Sequence, residues 1–117
     1  MALTGKTVIS IYPRFDFLLL AVNQLVNHLD KLDEFTHGQF HAKVIIRVGI
    51  GATSPLYPGV QHCGDYTWAF RSLLSNITIV HPQSPRTILR HYQGAYSAAQ
   101  VGDCFLLVEE MDLYARH

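Results

Sequence analysis

The stretch KVIIRVGI, residues 43–50, decides the fold class. It is a short and nearly continuous run of apolar, mostly β-branched residues, which is typical of a strand buried on both faces of a sheet. Three similar runs lie along the chain: TVISIY at 7–12, ITIV at 77–80 and CFLLV at 104–108. The sequence therefore predicts four strands.

Helical patterns separate these four strands. Residues 15–35 carry leucine or valine at positions 18, 22, 25, 29 and 32, and this spacing predicts one amphipathic helix. Further apolar residues at 19–21 and 26 widen that face, so we expect the helix to pack on two sides. Residues 65–74 predict a short helix with Asp65 as N-cap. Ser84-Pro85 predicts the start of a third helix that runs to about Ala99.

The order β-α-β-α-β-α-β predicts an α/β fold with a small four-stranded, mainly parallel sheet. Helices on both faces would make it Rossmann-like, with three layers, and the length fits one domain over residues 1–117. In such sheets ligands bind beyond the carboxyl ends of the strands. Residues 12–15, 49–67 and 81–83 are therefore expected at the functional edge.

Composition narrows the choice of partners. Nine basic and nine acidic residues cancel, which argues against nucleic acid or an anionic membrane as the main partner. The apolar run at 17–22 is too short to cross a bilayer, so no membrane is expected. Only 15% of the residues are charged, which predicts a covered surface and hence a homodimer or higher oligomer. Two cysteines without a disulfide framework favour a cytoplasmic setting.

The loop at 49–67 offers two possible chemistries. Gly49-Ile50-Gly51 begins like a dinucleotide fingerprint, but Pro55 prevents a helix from starting where that motif needs one. His62 is poorly placed to deprotonate Cys63, because adjacent side chains on an extended loop point apart. His62 remains a candidate for proton transfer or polar substrate contact, and equally for a hydrogen bond that orders the loop.

Metal binding and aromatic stacking are the other candidates. The chain has seven histidines but no CxxC or HExxH spacing, and His37 and His41 lie in a helix-to-strand connection, so no metal site is predicted. Phe15-Asp16-Phe17 stands where the first strand gives way to a helix. Its aromatic rings could line a pocket for a flat ligand, or they could pack in the core.

Several segments, taken in order, resemble one known family. They are the glycine turn at 1–5 before TVISIY, the FDFLLLAVNQLVNH helix at 15–28, the glycine-rich loop that reaches Gln61-His62, and the segments 77–85 and 105–109. Together they resemble the pyrimidine-binding domain of transketolase-like thiamine diphosphate enzymes, most closely the β subunits of 2-oxo-acid dehydrogenases. The similarity covers only the C-terminal half of that domain.

The resemblance implies a site. In the family this domain holds the aminopyrimidine ring of thiamine diphosphate, while a separate domain binds the diphosphate through magnesium. Phe15 and Phe17, with Tyr12 beside them, are thereby implied to bind the cofactor. His62 matches the family's active-site histidine and is implied to be catalytic, assisting proton transfer or contacting the substrate.

Departures from the family pattern limit what one chain can do. The family's ring-tuning glutamate lies upstream of the turn that here ends at Gly5, and no GDG motif for magnesium and diphosphate is present. Leu20 replaces a polar glutamine, and Pro13 replaces a frequent methionine. We therefore expect this chain to be inactive alone and to need a complementary chain carrying the diphosphate-binding domain. The alternative is a non-catalytic, self-associating α/β interaction module derived from the family.

Overall fold

All four predicted strands are present in the computed structural model, which describes residues 1–51 and 53–115. They run parallel in the order β1-β2-β4-β3, and their bounds are β1 Val8–Tyr12, β2 Val44–Ile50, β3 Thr78–Val80 and β4 Phe105–Glu110. The predicted small α/β, Rossmann-like fold is confirmed. The last strand continues two residues beyond its predicted end, so Glu109 and Glu110 belong to the sheet.

The helical segment after β1 differs from the single regular helix that the sequence predicts. It consists of α1 (Phe15–Leu18), a 3-10 turn (Leu19–Ala21), a π-helical stretch (Gln24–Leu29) and α2 (Leu32–Phe35). The Asp30 backbone N–H donates to the Leu25 carbonyl, five residues earlier, at 2.9 Å, as in a π turn. The chain is therefore helical throughout most of this segment, but its winding changes three times.

The apolar stripe of that segment is nevertheless buried as predicted. Leu18 and Leu25 are in the core, and Val22, Leu29 and Leu32 are partly buried against it. Each fully buried leucine contributes roughly 1.5–3 kcal/mol of hydrophobic stabilisation. Of the residues that widen this stripe, Ala21 and Val26 also pack against the core, whereas Leu20 is 89% exposed.

Helices cover both faces of the sheet. The segment 15–35 and α3 (Thr67–Leu73) lie on one face, where Phe70 joins the core formed by Ile46, Val48 and Leu106. The last crossover runs back from β3 to β4, and a connection of the usual hand must then lie on the opposite face. There α4 (Pro85–Ala99) sets Ala95 and Ala99 against the sheet. Among the described residues, no helix is long and apolar enough to cross a membrane.

The start of α4 follows from its capping residue, whereas α3 begins without a side-chain cap. The Ser84 hydroxyl accepts a hydrogen bond from the Arg86 N–H at 3.3 Å, and Pro85 takes the first helical position, as predicted. The other helix begins at Thr67 rather than at Asp65. The Asp65 carboxylate accepts from the Thr67 N–H at 2.9 Å, two residues on, so Asp65 forms a turn before the helix.

Asp30 joins the first helical segment to the start of β3. Its buried carboxylate accepts the backbone N–H groups of Ser75 (3.1 Å), Asn76 (2.8 Å) and Ile77 (3.0 Å). Burial acts to raise the pKa of Asp30, but these hydrogen bonds outweigh it and hold the pKa below its usual value of 3.8. Asp30 therefore remains ionised and fixes where β3 begins.

We predict that Asp30→Ala lowers the free energy of unfolding by about 2–4 kcal/mol, because three backbone donors lose their acceptor inside the protein. Urea denaturation measures this loss. Asp33→Ala is the matched control: its side chain is 66% exposed, and we expect a change of about 0.5 kcal/mol or less. An equal effect of both variants would contradict the role assigned to Asp30.

The same carboxylate gives a pH dependence of known sign. A folded-state pKa below the unfolded value means that its stabilisation is complete above about pH 4 and is lost as the pH falls through the folded-state pKa. The difference in unfolding free energy between the wild type and Asp30→Asn should therefore shrink on acidification below about pH 4.

Candidate functional site

The carboxyl ends of the strands form the candidate site. The turn after β1 passes close to β2 there: a Cβ at Gly49 would lie 2.7 Å from the Pro13 carbonyl oxygen, so only glycine fits. The Arg14 guanidinium donates to the Gly51 carbonyl and closes the same corner. This tight packing sets where α1 and the long loop leave the sheet.

Phe17 and His62 meet at this edge. Their ring centroids are 5.2 Å apart, with the planes inclined at 47°. A one-turn 3-10 helix (Val60–His62) carries the histidine, whose backbone N–H donates to the Gly59 carbonyl at 3.0 Å. His62 Nδ1 is buried without a hydrogen-bond partner in the described part of the chain. Such an atom costs about 1–3 kcal/mol unless something pairs with it, which makes it a candidate ligand contact.

Asp16 holds the loop that carries His62. Its carboxylate accepts the Gly64 backbone N–H at 3.3 Å and the Tyr66 hydroxyl at 3.0 Å. The bond to Asp16 raises the pKa of Tyr66, so that hydroxyl keeps its proton and stays a donor. No role was predicted for Asp16 from the sequence. Its position between two phenylalanines at the end of a strand was the available signal.

The other two predicted cofactor-binding residues, Phe15 and Tyr12, do not join the Phe17–His62 pair. Phe15 has no exposed surface and packs in the core against Tyr66 and Phe70, at centroid distances of 5.7 and 5.1 Å. Tyr12 lines a separate cavity of about 200 Å³ beneath the first helical segment, next to Leu18. Of the four predicted site residues, the structure thus brings together Phe17 and His62. Phe15 packs in the core, which is one of the two alternatives that the sequence allowed for its ring.

Exposed apolar side chains accompany the Phe17–His62 pair. Leu20, one turn after Phe17, is 89% exposed, and Val60, in the same turn as His62, is 81% exposed. Such side chains provide apolar surface for a flat ring or a partner surface. Among the residues that the structure describes, no three His, Cys, Asp or Glu side chains converge as a metal site would require.

A second polar cluster lies at the same edge, under α4. Arg47 donates through Nε to the Glu109 carboxylate at 2.9 Å, and the hydroxyls of Tyr92 and Tyr114 donate to the same carboxylate. Glu109 thereby connects β2, α4 and the final 3-10 turn (Met111–Ala115). The sequence signal was an arginine inside an otherwise apolar strand, which needs a buried partner.

The protonation states in this cluster are fixed by its contacts. Burial acts to raise the pKa of Glu109, but the hydrogen bonds from Arg47, Tyr114 and Tyr92 outweigh it and keep the pKa below its usual range. Burial and the adjacent carboxylate both raise the pKa of Tyr92 and of Tyr114. Glu109 is therefore an ionised acceptor with its partners already in place.

The carboxyl edge can thus contact a flat ring through Phe17 and exchange a proton through His62. The Glu109 cluster, by contrast, is internally satisfied and holds the fold. No protein-family model matches the chain, and no curated protein matches it.

We predict that Glu109→Gln lowers the free energy of unfolding by about 2–4 kcal/mol, because it leaves the Arg47 guanidinium partly buried without its counter-charge. The neighbouring Glu110→Gln is the control. Glu110 approaches His81 Nε2 at 3.1 Å without hydrogen-bond alignment, and its side chain is 36% exposed, so its loss should cost at most about 1 kcal/mol. Equal losses, measured by urea denaturation, would contradict this account.

Proposed function

We propose that this chain is one part of a thiamine diphosphate-dependent enzyme of the transketolase or 2-oxo-acid dehydrogenase type. It would form the wall of the active site on the aminopyrimidine side of the cofactor. The observation that carries the proposal is the Phe17–His62 pair at the carboxyl edge of a parallel sheet, where ligands of such folds bind. Both residues match the family's motif at their own positions.

The chemistry of the pair suits an aminopyrimidine. The partly exposed Phe17 ring offers a flat apolar face, and His62 Nδ1 is a buried polar atom in need of a partner. When bound, thiamine diphosphate supplies a nucleophilic carbon and an electron sink for bond cleavage next to a carbonyl. His62 would hold or move a proton at its ring nitrogen, while the apolar side chains around it exclude water.

The remaining parts of such a site would come from another chain. Asp16 is engaged with Gly64 and Tyr66, and Glu109 is engaged with Arg47, so neither carboxylate is available to the ring. The described residues also lack a cluster of acidic ligands for magnesium. A complementary chain with the family's glutamate and its diphosphate-binding domain would supply both.

The second candidate is a non-catalytic α/β module that associates with itself. Its support is the number of large apolar side chains on the surface, including Ile9 and Ile11 on β1, which are 51% and 58% exposed. Such surface is usually covered by a partner. A reducing, cytoplasmic setting fits both candidates, since Cys63 and Cys104 are free thiols.

We predict that the chain alone gives no measurable heat when titrated calorimetrically with thiamine diphosphate and magnesium. The physical reason is that the Asp16 and Glu109 carboxylates are engaged elsewhere and the described residues hold no acidic cluster for magnesium, so contact with the ring alone gives only weak binding. At the micromolar cofactor concentrations of that titration the melting temperature should also be unchanged, because contact with the ring alone is weak. Micromolar binding by the isolated chain would refute the claim that another chain is required.

A further inference from the structure

β1 has a free edge with unpaired backbone groups. It pairs only with β2 among the described strands, and the Val8 N–H donates to the Lys43 carbonyl at 2.8 Å. In a strand, successive residues direct their backbone groups to opposite sides. The backbone N–H and C=O groups of Val8, Ser10 and Tyr12 therefore point toward β2. Ile9 and Ile11 direct their N–H and C=O groups outward.

The side chains of Ile9 and Ile11 are also exposed. On their face of the sheet, α4 covers Ile45 of β2 and Leu107 of β4 but does not cover β1. Ile9 and Ile11 are consequently more than half exposed. An edge that combines open hydrogen-bonding groups with apolar side chains favours addition of another strand.

The opposite edge of the sheet is protected in the usual way. There β3 is only three residues long, and Pro82, which has no N–H, follows two residues after its end. By contrast, β1 has five residues, VISIY, with neither charge nor proline among them. The β3 edge of the sheet is thus protected against the addition of another strand, and the β1 edge is not.

The exposed area of the chain is larger than expected for a monomer of its mass. A monomer of 13.2 kDa is expected to expose about 6,400 Å². This chain exposes 7290 Å². The excess of about 900 Å² is close to the ~800 Å² that each partner buries in a standard protein–protein interface.

We propose that β1 pairs antiparallel with β1 of a second copy about a twofold axis at Ser10, which makes one continuous eight-stranded sheet. In this register Ile9 lies opposite Ile11 of the second copy, and Ile11 lies opposite its Ile9. The four outward N–H and four outward C=O groups then find partners, with two hydrogen bonds for each isoleucine pair. The four isoleucine side chains meet on the uncovered face.

The residues that flank β1 determine the register of this pairing. An axis at Ile11 would set Ile9 against Pro13, which has no N–H to donate. An axis at Ile9 would leave Ile11 opposite Thr7, outside the strand. Only the axis at Ser10 pairs both isoleucines with each other. The interface is the one through which the self-associating candidate would assemble. It needs no cofactor, so the outcome of cofactor titration leaves it untouched.

Cysteine crosslinking tests the register. Ser10 would face Ser10 of the second copy as a non-hydrogen-bonded pair with Cα atoms ~4.5 Å apart. A disulfide spans about 4.4–6.8 Å between Cα atoms. In a Cys63→Ser background, Ser10→Cys should therefore give a disulfide-linked dimer with copper–phenanthroline. Ile9→Cys is the control, since the two Ile9 positions would be diagonal neighbours ~7–8 Å apart and beyond easy reach. Crosslinking of Ile9→Cys as readily as Ser10→Cys would overturn the register.

Light scattering tests the interface itself. The wild type should be a dimer, and Ile11→Lys should be a monomer. At equal low concentration the two proteins should have the same free energy of unfolding per chain, because the Ile11 side chain is exposed in each single chain. Leu20→Lys, a still more exposed apolar site on the other face of the sheet, should remain dimeric. A monomeric wild type, or a dimer that survives Ile11→Lys, would overturn the proposal.

Discussion

The hydrogen-bonded ladder between β2 and β4 is the constraint on which the rest of the structure depends. It joins segments about sixty residues apart and buries both strands on both faces. Arg47 lies midway along β2 and Glu109 lies near the end of β4, so their ion pair links the two strands across the carboxyl half of the ladder. That pair in turn positions Tyr92 of α4 and Tyr114 of the last turn. One backbone pairing thus sets the framework of the carboxyl edge.

The site next to that framework is built differently. After β2 the chain crosses β4 to reach β3, and a long loop precedes α3 in this crossover. Asp16 fixes this loop from the neighbouring helix, and Phe17, the next residue, meets the ring of His62. The two sites differ in their hydrogen bonding. The polar groups of the Glu109 cluster bond to one another, whereas one buried nitrogen of His62 has no partner among the described residues.

Sequence patterns predicted the strands and α4 because those features depend on neighbouring residues, and the alternation of strands with helices predicted a mainly parallel sheet. They could not predict the change from α to 3-10 to π winding, since an apolar stripe every three or four residues is common to all three. Asp30 and Asp16 were missed because their partners lie 45 or more residues away. Phe15 and Phe17 look alike in sequence, and only packing separates the buried ring from the exposed one.

We propose that Phe17 and His62 form a surface for an aminopyrimidine ring. The most direct measurement is an NMR titration of the chain with 4-amino-2-methylpyrimidine, the isolated ring without the diphosphate. The account predicts weak, saturable shifts confined to the signals of Phe17, His62 and the Val60–His62 turn, and their loss in His62→Ala. Shifts that cluster elsewhere, such as around Tyr12 or the Glu109 cluster, or no shifts at saturating ligand, would contradict it.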